Sequence, residues 1–189
     1  MASGEDSRVR RTRAALIGAF DHLILSRRRR RIRVADIVAE ANVGRSTFYE
    51  HYGSADEIHM AALARPFAIL ADAAAGMGDE ARLTGLLVHF WENRQRARES
   101  FIGRMHDKVT RLLAAMVEER LADEEERLAI PLRLAALQLA EAALAPIRGW
   151  VTAEAPCTAQ ALAGAICRAG RALREELTPP RHPDERQDP

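Results

Sequence analysis

The sequence predicts an all-α fold, in which an N-terminal three-helix unit holding a helix-turn-helix precedes a larger helical domain. Three observations lead there. Hydrophobic residues make up 48% of the 189 residues while aromatics make up only 5%, an alanine-rich balance that suits helices better than sheets. The stretch Val34 to Ile58 reads VADIVAEANVGRSTFYEHYGSADEI, two short helical patterns meeting at a tight turn and followed by the capped start of a third. Charge is also unevenly spread: residues 1–54 hold 11 Arg against 6 acidic residues, and the remainder holds 17 basic against 21 acidic, although the net charge is only +1.

A first helix is expected from Arg8 to about Ser26, with Leu16, Ala19, Phe20, Leu23 and Ile24 on one stripe. Arg8, Arg10, Arg11 and Arg13 stand at its start, where cations oppose the helix dipole. They fit either a solvated, frayed N-terminus or contact with a polyanion. Five consecutive arginines, Arg27 to Arg31, follow; such a run is either a solvated loop or a contact to a phosphate backbone. Val34, Ile37, Val38 and Ala41 give the second helix a compact apolar face. Asn42 ends it, because asparagine tolerates positive φ, and Val43 points inward as the pivot of the turn.

The third helix is expected from Arg45 to His51, with Phe48 as its large inward side chain, packed on Ile37. Arg45, Ser46, Thr47, Tyr49 and His51 remain outside, which makes a helix-turn-helix with a polar outer face. Ser54-Ala55-Asp56-Glu57 forms a capping box in which the Ser54 hydroxyl takes a free amide and the Glu57 carboxylate returns to Ser54.

This region resembles the DNA-binding domain of the tetracycline-repressor (TetR) family of transcriptional regulators. The likeness runs from Thr12 to Ile58 through Arg13, Ala19-Phe20, Asp36-Ile37, Ala39 to Ala41, Val43, Thr47-Phe48-Tyr49, His51, Gly53-Ser54 and Glu57. The rest of the chain fits the family in length and helical character. The resemblance implies a double-stranded DNA partner, a homodimer on a roughly palindromic operator, and a C-terminal domain for ligand binding and dimerisation. On such a duplex Ser46, Thr47 and Tyr49 would approach base edges, Arg45 would reach a guanine or a phosphate, and Tyr49 and His51 would bond phosphates. Arg28 and Arg33 would add backbone contacts. The chain departs from the family at the arginine run, at Arg33 where a hydroxyl residue usually caps the helix, and at Ala55 where a phosphate-contacting lysine is common. Glu50 adds a negative charge on the outer face, either accepting from a cytosine amino group or repelling phosphate.

A long helix is expected from Ser54 to about Ala75, with Ile58, Ala62, Phe67 and Leu70 inward and a kink at Pro66. Further helices are expected at about Glu80 to Arg96, Phe101 to Glu126, Pro131 to Ala153 and Thr158 to Leu177. Leu83, Leu87, Phe90 and Arg94 share a face of the first of these. Ile102, Met105, Val109, Leu112 and Met116 repeat along the second, with Glu124 to Glu126 as a solvated end. Pro131 suits a first-turn position, and the helix after it is apolar nearly all round, so neighbours must cover it on two sides.

With the last helix, it supplies the expected dimer interface: Leu139, Ala143, Ile147, Leu162, Ala165, Ile166, Ala169 and Leu173, a four-helix contact between two chains. Candidate ligand contacts are His89, Trp91, Phe101, Met105, His106, Met116 and Trp150, a set that ordinary core packing also accounts for. The expected domains are 1–53 for helix-turn-helix DNA binding, 54–178 for regulation and dimerisation, and 179–189 as a disordered tail rich in proline and charge.

The six scattered histidines, the lack of HExxH and the lack of a glycine-rich phosphate loop argue against an enzyme. No metal site and no cofactor are expected. Cys157 and Cys167 lack metal-ligand spacing and are expected as reduced packing residues. Without a signal peptide or an apolar run of membrane-spanning length, the cytoplasm is the expected location. The expected function is that of a dimeric repressor whose operator binding is relieved by an unknown small-molecule effector. The alternative is a dimeric ligand-binding or protein-interaction module without specific DNA binding.

Overall fold

The computed structural model describes residues 2–26 and 32–178. Its helices are α1 (Ala2–Ser26), α2 (Val34–Glu40), α3 (Arg45–His51), α4 (Ala55–Ala74), α5 (Glu80–Glu92), α6 (Arg94–Phe101), α7 (His106–Leu121), α8 (Leu132–Val151) and α9 (Ala159–Leu177), with 3-10 turns at Gly103–Met105 and Ala122–Arg127. Among the described residues there is no strand. The expected all-α class is what the chain adopts.

Two compact units divide the chain, Met1–Ala64 and Arg65–Pro189. The division falls inside α4, whereas the sequence placed the end of the first domain at residue 53. Ile58 is the physical reason, since the first turn of α4 contributes this fully buried side chain to the first unit's core.

In the first unit α1 packs on α2 and α2 on α3. The core is Leu16, Phe20, Leu23, Ile37, Phe48, Tyr52 and Ile58, with Val34, Val38, Ala41 and Val43 partly buried around it. α1 starts at Ala2 rather than near Arg8, so the arginines Arg8 to Arg13 lie beyond its first turn. The helix dipole, which acts within the terminal turn, therefore does not oppose them. Arg33 caps α2 without a side-chain bond, since a guanidinium has no acceptor; instead the Asp36 carboxylate accepts from the Arg33 N–H at 3.0 Å. At α4 the Ser54 hydroxyl accepts from the Glu57 N–H at 3.2 Å. The Glu57 carboxylate goes to the Gly53 N–H, one residue before the expected partner.

In the second unit, α7 packs on α8, α5 on α9, α8 on α9 and α6 on α8. Two expected helices are re-divided. Asn93 stops α5: its Nδ2 donates to the His89 carbonyl at 3.0 Å, while its Oδ1 accepts from Arg96 at 3.1 Å and opens α6. An asparagine side chain competes with the backbone for these bonds, which is why it punctuates helices. The helix expected from Phe101 begins only at His106, because Ile102 is extended and Gly103 takes φ of 72°, a conformation that favours glycine.

Re-division also shifts the buried face of α7 to Val109, Thr110, Leu113, Ala114, Val117 and Leu121; Leu112 and Met116 are half-buried and Ile102 is exposed. Pro131 is the N-cap of α8, one position before the expected first turn, and Pro146 lies within that helix. Glu124 is not a solvated end but pairs with Arg174 of α9.

Two features join α4 to later helices within this unit. Arg120 of α7 donates from Nε to Asp72 Oδ1 at 2.6 Å and from Nη2 to the Ala68 carbonyl at 3.0 Å. Its Nη1 also donates to the Met116 carbonyl at 2.6 Å. Gly170 of α9 lies so near α4 that a Cβ there would run into the Ala73 oxygen; only hydrogen fits.

Candidate nucleic-acid interface

The turn that presents α3 is built by two residues. Asn42 takes φ of 52°, and the Val43 N–H then donates to the Val38 carbonyl at 3.1 Å, closing the end of α2. Gly44 is the extended N-cap of α3. Phe48 is fully buried and anchors the short helix, with Tyr52 at 6.0 Å between ring centroids and Tyr49 edge-on at 5.4 Å. Seven residues are too few to hold a helix in water alone, so this aromatic anchor and the turn fix α3.

With Phe48 inward, Ser46 and Glu50 lie on the opposite side of α3, and Arg45, Ser46, Tyr49 and Glu50 are all exposed, with Tyr49 at 52%. Thr47 and His51 are half-buried, so they flank the exposed face rather than lie at its centre. None of these six side chains has a hydrogen bond or ion pair among the described residues, although exposed polar groups elsewhere in the unit do. His22 Nδ1, for example, lies 2.8 Å from Glu40 Oε1, linking α1 to α2. Arg33 is exposed at the start of α2. Arg28, with the run from Arg27 to Arg31, lies outside the described residues, as does the expected tail beyond 178. Arg8, Arg10, Arg11, Arg13, Arg33 and Arg45 are all exposed, and the Arg13 guanidinium sits 5.7 Å from the centre of the Tyr52 ring.

Behind this face two ionisable groups are perturbed. Burial lowers the pKa of His59, against the opposing charge of Asp56; its ring packs on Phe20 at 5.3 Å. Burial raises the Tyr52 phenol, with Arg13 opposing. Tyr52 is itself buried, which gives it a structural role.

The seven expected ligand contacts are distributed among separate associations. Trp91 stacks on Trp150 at 4.8 Å, with the Arg94 guanidinium 5.3 Å from the Trp91 ring centre. Phe101 is core, between Phe67 and Phe90 at 6.1 and 5.3 Å. His89 is exposed and lies 3.4 Å from Asn93. Met105 and Met116 are half-buried. His106 bonds Asp107 at 3.0 Å and stands 3.6 Å from Glu141.

Glu141 is a polar centre that the sequence did not single out. It accepts from Thr110 at 2.7 Å and from Arg148 at 2.8 Å. Burial pushes its pKa up, but these bonds and the charges of Arg148 and His106 outweigh that, so the net shift is downward. Thr110 on α7 and Glu141 on α8 are 31 positions apart, which leaves no local sequence signal.

Among the expected dimer residues, Leu139, Ala143, Ile147, Leu162 and Ile166 are buried within the chain itself. Their apolar surface is already covered by neighbouring helices within the chain. Leu173 is half-buried, whereas Ala165 and Ala169 are exposed. Cys157 is exposed and Cys167 buried, both as free thiols. No group of His, Cys, Asp or Glu able to hold a metal occurs among the described residues, and no helix there is long and apolar enough to cross a membrane.

No protein-family model and no curated protein sequence matches this chain. Solved structures do. The TetR-family repressor AlkX from Dietzia sp. strain DQ12-45-1b, implicated in biodegradation of n-alkanes, superposes with a TM-score of 0.59 at 16% identity, over 88% of this chain and 97% of its own. The chain has the TetR-type fold. RolR in complex with the ligand resorcinol gives a TM-score of 0.53 at 22% identity, covering 93% and 98%. A TetR transcriptional regulator from Streptococcus agalactiae 2603V gives 0.51 at 23%, covering 90% and 99%. At these identities the likeness is one of fold, and it extends over both units of the TetR-type architecture rather than the helix-turn-helix alone. Function is a matter of site chemistry, since one fold hosts many functions.

Proposed function

We propose that this chain is a homodimeric, sequence-specific DNA-binding transcriptional regulator, acting as a cytoplasmic repressor that a small-molecule ligand releases from its operator. The observation that carries it is the exposed face of α3, where Arg45, Ser46 and Tyr49 present polar groups unpaired among the described residues. Polar side chains held outward on a short, rigidly anchored helix suit the major groove, whose base edges offer matching donors and acceptors. Arg33 and the exposed arginines of α1, with Arg28, supply cations for the phosphates on either side. Ser46 and Tyr49 take the base edges, while Thr47 and His51 flank them.

The first unit then serves DNA binding and the second serves regulation and dimerisation. Two-fold pairing would place two copies of α3 about one helical turn apart, roughly 34 Å, on a palindromic operator. For the dimer, Ala165 and Ala169 are available on the exposed side of α9. For the ligand, the Trp91–Trp150 stack and the His106–Glu141 group of the second unit offer aromatic and polar contacts; the resorcinol complex of RolR is a precedent on the same fold.

The test is binding of the purified protein to the DNA flanking its own gene and to an unrelated duplex, at two salt concentrations. Preference for the flanking DNA, with affinity falling steeply as salt rises, is the expected result. Indifference to both duplexes at low salt would favour a dimeric interaction module without DNA binding, the rival to which the exposed carboxylate of Glu50 gives some weight.

A further inference from the structure

We infer that Glu50 is a specificity-determining residue that reads a cytosine in each operator half-site, a conclusion that rests on the DNA-binding function proposed above. Glu50 is exposed on the same side of α3 as Ser46 and Tyr49, which precede it by four and one positions. Residues four apart stack on one helix face. Its carboxylate has no ion pair or hydrogen bond among the described residues; Arg45, five positions away, does not reach it. It also stands in the last turn of α3, at the negative end of the helix dipole, where an anion is disfavoured. Among the described residues, this carboxylate therefore has no stabilising partner except water.

Docking α3 in a major groove would strip much of that water away, and a desolvated carboxylate needs a donor. The groove contains few. Phosphate oxygens, guanine O6 and N7, and thymine O4 are acceptors and repel it; the donors are the amino groups of cytosine and adenine. Adenine N6 lies beside the acceptor N7, which would face the second carboxylate oxygen. Cytosine N4 has no such neighbour on its own ring, so cytosine is the base a carboxylate selects. Glutamine at the same position would instead match adenine, accepting from N6 and donating to N7.

The experiment is selection of duplexes from a random pool by the full-length protein and by its Glu50→Gln and Glu50→Ala variants, with circular dichroism to check that all three are folded. Wild type is expected to enrich a symmetric site with cytosine at one position of each half. Glu50→Gln should move that position to adenine, and Glu50→Ala should relax it, while the other positions stay the same. Replacing the cytosine pair should weaken wild type roughly tenfold and leave Glu50→Ala within about twofold. The inference is overturned if Glu50→Ala enriches the same site as wild type, with equal or uniformly higher affinity, because Glu50 then only repels phosphate. Should wild type enrich no sequence at all, the DNA-reading function fails and this inference goes with it, an outcome recognisable before any variant is compared.

Discussion

The two units of the chain use polar side chains in opposite ways. In the first, the outward polar groups of α3 have no hydrogen bond or ion pair among the described residues, and a buried aromatic cluster around Phe48 holds the helix that carries them. In the second, polar groups are spent on the fold: Arg120 makes three bonds, two of them to α4, and Glu141 gathers Thr110 and Arg148. A polar residue whose bonds are satisfied internally stabilises its own chain, whereas one held outward and unsatisfied is available to something else. The contrast is what the proposed function rests on: recognition by the first unit, and a second unit in which any ligand contact would compete with existing bonds.

The probes needed to test this contrast are built in. Both tyrosines, Tyr49 and Tyr52, lie in the first unit and both tryptophans, Trp91 and Trp150, in the second. Phe48→Ala should have the largest effect, about 3–5 kcal/mol of lost stability for an aromatic removed from a core. In urea titrations the tyrosine-reported transition should move further than the tryptophan-reported one; equal shifts would mean the units unfold as one.

Gly170→Ala should act in the reverse sense. A methyl group so close to the Ala73 oxygen forces α9 away from α4, costing roughly 1–3 kcal/mol, and the tryptophan-reported transition should respond first. An unchanged midpoint would show that α9 can shift without loss.

Tyr49→Ala should separate recognition from stability. Operator affinity should fall by about 1–3 kcal/mol if the ring or hydroxyl reaches a base, with urea midpoints nearly unchanged because the side chain is exposed. Loss of stability comparable to the loss of affinity would assign Tyr49 to the fold through its edge contact with Phe48.

Acid should produce the smallest and most selective difference. Burial lowers the pKa of His59, so below about pH 6.5 the unfolded chain binds more protons than the folded unit. The stability of the first unit is thus complete above that pH and declines as pH falls toward the folded pKa. Glu141 has its pKa lowered in the fold, so its contribution persists until pH drops below the ordinary glutamate range, about pH 4. Tyrosine signals should therefore change before tryptophan signals on acidification, and His59→Phe should remove the early change. Simultaneous loss of both signals would refute the ordering.

The local parts of this architecture were legible in the residues. Asn42 at a positive φ, Phe48 as the inward anchor, Ser54 as a cap and the last helix, expected from about Thr158 to Leu177 and found at Ala159–Leu177, all follow from propensities acting within a few positions. Failures came where a side chain chose between local options. Asn93 could sit inside a helix or end one, and Gly103 could continue a pattern or break it; the Asn93 side-chain bonds and the positive φ of Gly103 ended both helices. The apolar stripes of α8 and α9 were legible as stripes, but not what covers them. Leu139, Ile147, Leu162 and Ile166 read equally well as core or as dimer surface, and the chain buries them itself.

By itself, then, the sequence determined the helical class, the helix-turn-helix and which side of α3 faces out, because periodicity and turn chemistry act over a few residues. Tertiary structure alone decided where α4 is divided, which stripe of α7 is buried and which helices bring Arg120 to Asp72 or Thr110 to Glu141. Those choices depend on contacts between residues tens of positions apart, and pairing at that range is set by packing volume and bond geometry that no local pattern records.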